Sequence, residues 1–124
     1  MRRQPKYKFF KNWSYAISGF FEVVKNETAF KIELVLFVLL TIFLFNSRIP
    51  TDNRLIMLSC FFLVIIVELL NSAIERCVDL VTKDFHELAK AAKDAAAGAV
   101  MFANFLTVVI WCYYLYKAYF IPLN

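Results

Sequence analysis

Glu68, Asn71, Ser72, Glu75 and Asp79 lie in the stretch "VELLNSAIERCVD", directly after an apolar run from Leu55 to Ile66. On a helix turning about 100° per residue, all five fall within about 60° of Glu68, while Arg76 and Cys77 point elsewhere. At about 1.5 Å of rise per residue, Glu75 sits about 30 Å along from Leu55 and Glu68 about 10 Å deeper. An ionised side chain near a bilayer centre costs at least about 2.5–3.5 kcal/mol, so a buried polar stripe needs a compensating role. A structural role is available: Asn71 and Ser72 can bond neighbouring helices, with Glu68 as polar glue. Two Glu residues two turns apart, with Asn and Asp on the same stripe, favour chemistry. A deep carboxylate can accept a proton from a hydroxyl.

The chain offers partners for that chemistry. The segment "KDFHELAKAAKDAAAGAV" supplies His86, Glu87, Lys90, Lys93 and Asp94, and Glu27 and Glu33 enter the first apolar run from the same side. Hard carboxylates such as Glu27 and Glu75 hold Mg²⁺ together with substrate phosphates. Cations such as Lys90 and Lys93 stabilise phosphoryl charge. Together these outline transfer of a phosphoryl group from a nucleotide in water to a lipid alcohol. No GxxxxGK[ST] motif or kinase glycine loop is present, so metal and side chains must hold the phosphates.

The elements that position these residues follow from composition. Of 124 residues, 61% are hydrophobic, with two Gly and three Pro, which excludes an ordinary soluble domain and a flexible linker. One domain, 1–124, is expected, all-α and membrane-embedded. Three spans are read at about 29–45, 55–74 and 95–116, each near the ~20 residues that cross ~30 Å of hydrocarbon. They lack the alternation of barrel strands and so are helices. Lys31 and Glu33 mark the interfacial start of the first span. Before it, Phe9, Phe10, Trp13, Ile17, Phe20, Phe21 and Val24 recur at helical spacing among Lys residues, which predicts an amphipathic surface helix over about 5–25. It serves as an anchor, or as an anchor and a wall of the site.

Lys and Arg cluster before the first span and in the loop after the second, which puts both in the cytoplasm and the C-terminus outside. The net charge of +4 thus speaks for topology and anionic lipid, not nucleic acid. Arg48, Asp52 and Arg54 in the first loop read as exterior headgroup anchors. Cys60, Cys77 and Cys112 form no CxxC pair and read as free thiols. No short apolar segment with a cleavage site follows the basic N-terminus, so no cleaved signal peptide is read. Ala91, Ala95, Ala99 and Ala103, with Gly98, read as close helix packing, and Asn104 as an interhelical hydrogen bond.

The segments "NETAFKIE", "VELLNSAIERCVDL" and "HELAKAAKD", with a Trp in the last span, resemble the small bacterial integral-membrane diacylglycerol kinase family over nearly the whole chain. The resemblance implies three transmembrane helices and a surface helix per protomer, a homotrimer with active sites at subunit boundaries, and a multi-pass location in the bacterial inner membrane. It implies MgATP as phosphoryl donor. Carried over by motif, Glu68 is the catalytic base, and Glu27 and Glu75 bind metal. Lys8, Tyr15, Glu27, Glu75, Asp84, His86, Lys93 and Asp94 contact ATP. Ala29, Phe30, Glu33, Glu68, Asn71 and Trp111 line the lipid side. Lys8 stands where the diacylglycerol branch commonly has Arg, keeping the charge but losing the bidentate fork. "NSAIE" and the Trp-Cys near the end resemble the diacylglycerol branch, and "AKAAKDAAAGAV" resembles the branch that phosphorylates undecaprenol. Diacylglycerol is the favoured substrate. Two readings from other classes stay open: a small transporter or channel subunit whose Glu stripe carries cations, and a non-catalytic anchor in which Glu68 only packs.

Overall fold

A computed structural model of the chain describes residues 8–122. It contains four helices, α1 Phe9–Asn26, α2 Thr28–Phe45, α3 Thr51–Val81 and α4 Glu87–Tyr119. The last three are long and apolar enough to cross a membrane. The expected spans fall inside them, but α3 and α4 run past the apolar windows at both ends. Their polar ends, such as "TDNR" and "ERCVDLV", contain neither Gly nor Pro. Backbone bonds within a helix are satisfied in water as well as in lipid, so apolar windows report depth rather than helix length. Residues 5–7 of the expected surface helix lie outside the described part.

Each helix boundary has a local cause. α1 and α2 are separated by Glu27 alone, in extended conformation at φ −117° and ψ 108°. Its N–H still bonds the Val23 carbonyl at 2.9 Å, and its carbonyl accepts from Lys31 N–H at 3.2 Å. One residue therefore makes the elbow without orphaning its own backbone groups. Between α2 and α3, the Ser47 hydroxyl donates to the Leu44 carbonyl at 2.7 Å and the Arg54 Nε donates to the Ile49 carbonyl at 2.6 Å. Pro50 then precedes α3, where the missing N–H costs nothing. α4 opens on His86, whose Nδ1 accepts from the Leu88 N–H at 3.1 Å as an N-cap.

The tightest packing is the antiparallel seam of α3 and α4. Leu44, Ile49 and Met57 are fully buried, and Trp111 joins them at the end where α2 meets α3. The Trp111 indole N–H donates to the Met57 carbonyl at 3.0 Å, and its ring meets Phe61 edge-on at 5.6 Å. The Thr107 hydroxyl contacts the carbonyls of Ala103 at 2.9 Å and Cys60 at 3.3 Å.

Two expectations for α4 are met only in part within one chain. The residues buried along it are Ala96, Ala103, Thr107 and Trp111, whereas Ala91, Ala95 and Ala99 are exposed. The buried polar bonds across the seam come from Thr107 and Trp111, while Asn104 is exposed within this chain. The three cysteines are free thiols, as expected.

α1 docks through few side chains. Val23 is buried, and the half-buried Phe20 packs edge-on against Phe30 at 5.7 Å. Phe9, Phe10, Trp13, Ile17 and Phe21 are exposed. The α2 side chains Ile32, Val35, Val38 and Leu39 are likewise exposed, as on a helix bathed in lipid.

Leu44 has no exposed surface. Leu44→Ala should therefore lower unfolding stability by about 2–5 kcal/mol, read by denaturant titration in detergent. A smaller loss would mean that this end of the bundle collapses around the gap.

Candidate active site

Three carboxylates converge where α2 begins beside the second half of α3. Glu68 lies against the Glu33 carboxyl, with Glu27 within electrostatic reach. The elbow sets this geometry. Glu27 accepts from the Ser72 hydroxyl at 2.8 Å, and Arg76 approaches its other oxygen at 3.6 Å. Ser72 is buried, so the bond is sheltered from water. Ser72 stands one turn after Glu68 on α3, and Glu33 stands under two turns after Glu27 on α2. Fixing one pair thus brings the other together.

Asn71 shares this layer. Its Oδ1 and the Glu33 Oε2 are both buried without a hydrogen-bond partner among the described residues. Buried acceptors are nearly always satisfied, so two orphans beside Glu68 suit a donor brought by a ligand, such as a hydroxyl. Glu75 is exposed, one turn past Ser72. Among the described residues, no group of three or more His, Cys, Asp or Glu is arranged to hold a metal ion. A pair of hard carboxylates does suit Mg²⁺, which takes one or two of them and completes its shell with water and phosphate oxygens.

A second polar group forms where α3 leads into α4. A cavity of about 340 Å³ is lined by Asp84, His86, Lys93 and Asp94 together with Lys83 and Lys90. Four residues expected to contact ATP therefore share one cavity. Lys93 pairs with Asp79 at 2.6 Å, and Lys90 pairs with Asp94 at 2.5 Å. Asp79 belongs to the α3 polar stripe, so that stripe links the carboxylate layer to the cavity over about 16 Å. Because His86 Nδ1 accepts a backbone bond, the neutral ring carries its proton on Nε2, the nitrogen free to meet a ligand.

Other expected residues are not brought together. Lys8 caps α1 and Tyr15 is on its exposed face, and neither lines the loop cavity. Ala29 is exposed, but Phe30 is 1% exposed and pins α1 to α2. Trp111 is buried in the core at the far end, bonded to Met57, which lies about 16 Å along α3 from Glu68.

The sequence reading missed Glu22 and Arg76. Arg76 pairs closely with Glu22 of α1 while facing Glu27, tying α1, the elbow and α3 together. A guanidinium reaches well beyond its position on the helical wheel, and that reach was the available signal.

The profile of the family described as prokaryotic diacylglycerol kinase matches residues 14–115, most of the chain. The chain belongs to the prokaryotic diacylglycerol kinase family. It is 38% identical to the diacylglycerol kinase of Escherichia coli strain K12 over 92 residues, covering 74% of this chain and 75% of that one. It is 35% identical to the diacylglycerol kinase of Helicobacter pylori strain J99 over 115 residues, covering 91% and 88%. It is also 36% identical to the undecaprenol kinase of Bacillus subtilis strain 168 over 103 residues, covering 83% and 84%.

The hydrogen bond from Arg76 holds the Glu22 carboxyl below its ordinary value of 4.5. A depressed carboxyl stabilises the fold above its unfolded value, and that contribution is lost as pH falls through the folded value. Acid should therefore loosen α1 from α3, starting near pH 4.5. Trp13 fluorescence during acid titration reads this, and Glu22→Gln should remove that part of the transition.

Proposed function

We propose that the protein is a lipid kinase that transfers the γ-phosphate of MgATP to the hydroxyl of diacylglycerol, giving phosphatidic acid at the cytoplasmic face of the bacterial inner membrane. The observation that carries this reading is the carboxylate layer with its two orphaned acceptors, joined by the α3 stripe to a basic loop cavity. The names of the relatives support a phosphotransferase acting on a lipid alcohol.

In this reading the loop cavity takes the nucleotide. Lys93, held by Asp79, presents its ammonium to the phosphates, and His86 offers Nε2–H. Asp84 and Asp94 flank the nucleotide, and Lys8 and Tyr15, which do not line this cavity within one chain, reach it from α1 of a neighbouring copy. Glu27 and Glu75 would hold Mg²⁺. When bound, the ion neutralises charge on the phosphate oxygens. Releasing the Arg76 contact frees one oxygen of Glu27 for that task.

The lipid alcohol enters beside Ala29 and Phe30, with its hydroxyl among Glu33, Asn71 and Glu68. Glu68 takes the hydroxyl proton as the alkoxide oxygen attacks the γ-phosphorus. The new O–P bond forms as the bond to the β-phosphate oxygen breaks, and ADP leaves. Trp111 contributes through the core against which the lipid-facing helices pack. α1 lies along the membrane surface, its exposed aromatic residues in the headgroup layer. Three copies form a homotrimer with sites at their boundaries, where the exposed Glu75 of α3 can be enclosed. Lys and Arg placement supports a cytoplasmic N-terminus and an outward C-terminus.

Diacylglycerol is preferred on "NSAIE" and the Trp-Cys of α4, with undecaprenol as the alternative named by one relative. Purified protein given labelled ATP with both lipids should transfer label to diacylglycerol. Label on undecaprenol alone would reassign the substrate, and lipid-independent cation flux in liposomes without ATP would refute the kinase. Glu68→Gln should lower kcat by about 10²–10⁴-fold with the KM for MgATP kept. Near-normal turnover would remove Glu68 from the mechanism. Glu75→Gln should instead raise the KM for MgATP, and an unchanged KM would argue against its metal role.

A further inference from the structure

At the end of the bundle opposite Glu68, a cavity of about 150 Å³ lies between the α2–α3 turn and the last turns of α4. Its lining is Arg48, Pro50, Asn53, Tyr114, Lys117 and Ala118. Two of these six side chains are cations and none is an acid. Among the described residues, the ion pairs use Arg76, Lys90 and Lys93, and neither Arg48 nor Lys117 takes part in one. Asp52, the acid in this region, is not part of the lining. Among the described residues no acid offsets the two cations that line this cavity, and an anion between them relieves their mutual repulsion.

The cavity is built rather than incidental. The Arg48 guanidinium carbon lies 5.3 Å from the centre of the Tyr119 ring. This cation–π contact holds the guanidinium without using any of its N–H donors. Asn53 and Tyr114 add neutral donors to the same space. Arg54 is a cation of the same region, but its Nε is committed to the Ile49 carbonyl at 2.6 Å. The cavity therefore separates one cation of the turn for ligand from one used to hold the turn. Its volume equals that of about five waters, at about 30 Å³ each, which suits a phosphate group.

Position identifies the source of the phosphate. Directly beneath lies the apolar cluster of Leu44, Ile49, Met57 and Trp111, with Tyr114 packed against it. Tyr113, Tyr116 and Tyr119 ring the same end and are exposed. Aromatic belts of this kind mark the level of the lipid headgroups.

We infer that Arg48 and Lys117, with Asn53 and Tyr114, form a binding site for the phosphate of an anionic phospholipid headgroup at the membrane face remote from the kinase site. Inorganic phosphate shares the required chemistry. The site clamps the α2–α3 turn to the end of α4, so occupancy stabilises the bundle. This inference is independent of the phosphotransfer reading.

The test uses the full chain in uncharged detergent, with phosphatidylglycerol, phosphatidylcholine or inorganic phosphate added separately. Thermal unfolding and native mass spectrometry give the readouts. Phosphatidylglycerol should raise the midpoint and remain bound, with phosphatidylcholine weaker because its choline opposes the two cations. The double variant Arg48→Gln, Lys117→Gln should weaken phosphatidylglycerol binding about tenfold or more, since two charge-assisted hydrogen bonds are lost. Asn53→Asp keeps both cations but sets a carboxylate in the cavity, and should weaken binding even if the double variant fails to fold. Protection by inorganic phosphate that the same variants abolish would also support the site and would name the free anion as its ligand. Equal protection of wild type and variants by phosphatidylglycerol and by phosphate would overturn the inference.

Discussion

The hydrogen bond from Ser72 to Glu27 is the contact on which the polar half of the molecule depends. α2 packs far less extensively on α3 than α4 does, so apolar packing alone leaves its height loosely fixed. The 2.8 Å bond sets that height at the elbow, and Arg76 adds a second tie one turn further along α3. With the elbow fixed, the turns of two helices carry Glu33 to Glu68. Removing the Ser72 hydroxyl would leave a half-buried carboxylate with one distant cation, a costly arrangement that α2 could escape by sliding.

The two ends of the bundle divide the labour. At one end, Leu44, Ile49, Met57 and Trp111 form a dense apolar core, and the seam is reinforced by hydrogen bonds to the Met57 and Cys60 carbonyls. At the other, carboxylates gather, and the Glu33 Oε2 and Asn71 Oδ1 there have no hydrogen-bond partner among the described residues. Such a layer costs stability, because buried acceptors lose water without gaining partners. The helices can carry it because they run without interruption from the rigid end into the polar one. α3 has 31 residues and α4 has 33, and neither is interrupted.

Much of this was legible in the residues. The apolar runs gave the three long helices, and the angular spacing of Glu68, Asn71, Ser72, Glu75 and Asp79 gave the stripe. The gathering of Asp84, His86, Lys93 and Asp94 followed from their closeness along the chain. What remained hidden needed three dimensions. Arg76 lies about 80° from Glu68 on the wheel, yet a long side chain crosses that arc. Only Ala103 of the alanine row is buried within one chain, for a geometric reason. Steps of four residues advance about 40° each, so Ala91 to Ala103 winds about 120° around α4 and cannot face one neighbour throughout. Trp111 was assigned to the lipid by resemblance alone, whereas its indole N–H finds a carbonyl within the fold, as a buried Trp requires.

The length of α3 and α4 resolves a solubility conflict. At about 1.5 Å per residue they measure about 46 and 50 Å, against about 30 Å of hydrocarbon. That surplus is shared between both ends, and on one side it carries the charged turn that joins the two helices beyond their apolar windows. The same two rods therefore offer charged groups at their joined ends and apolar surface lower down, without a break in either helix.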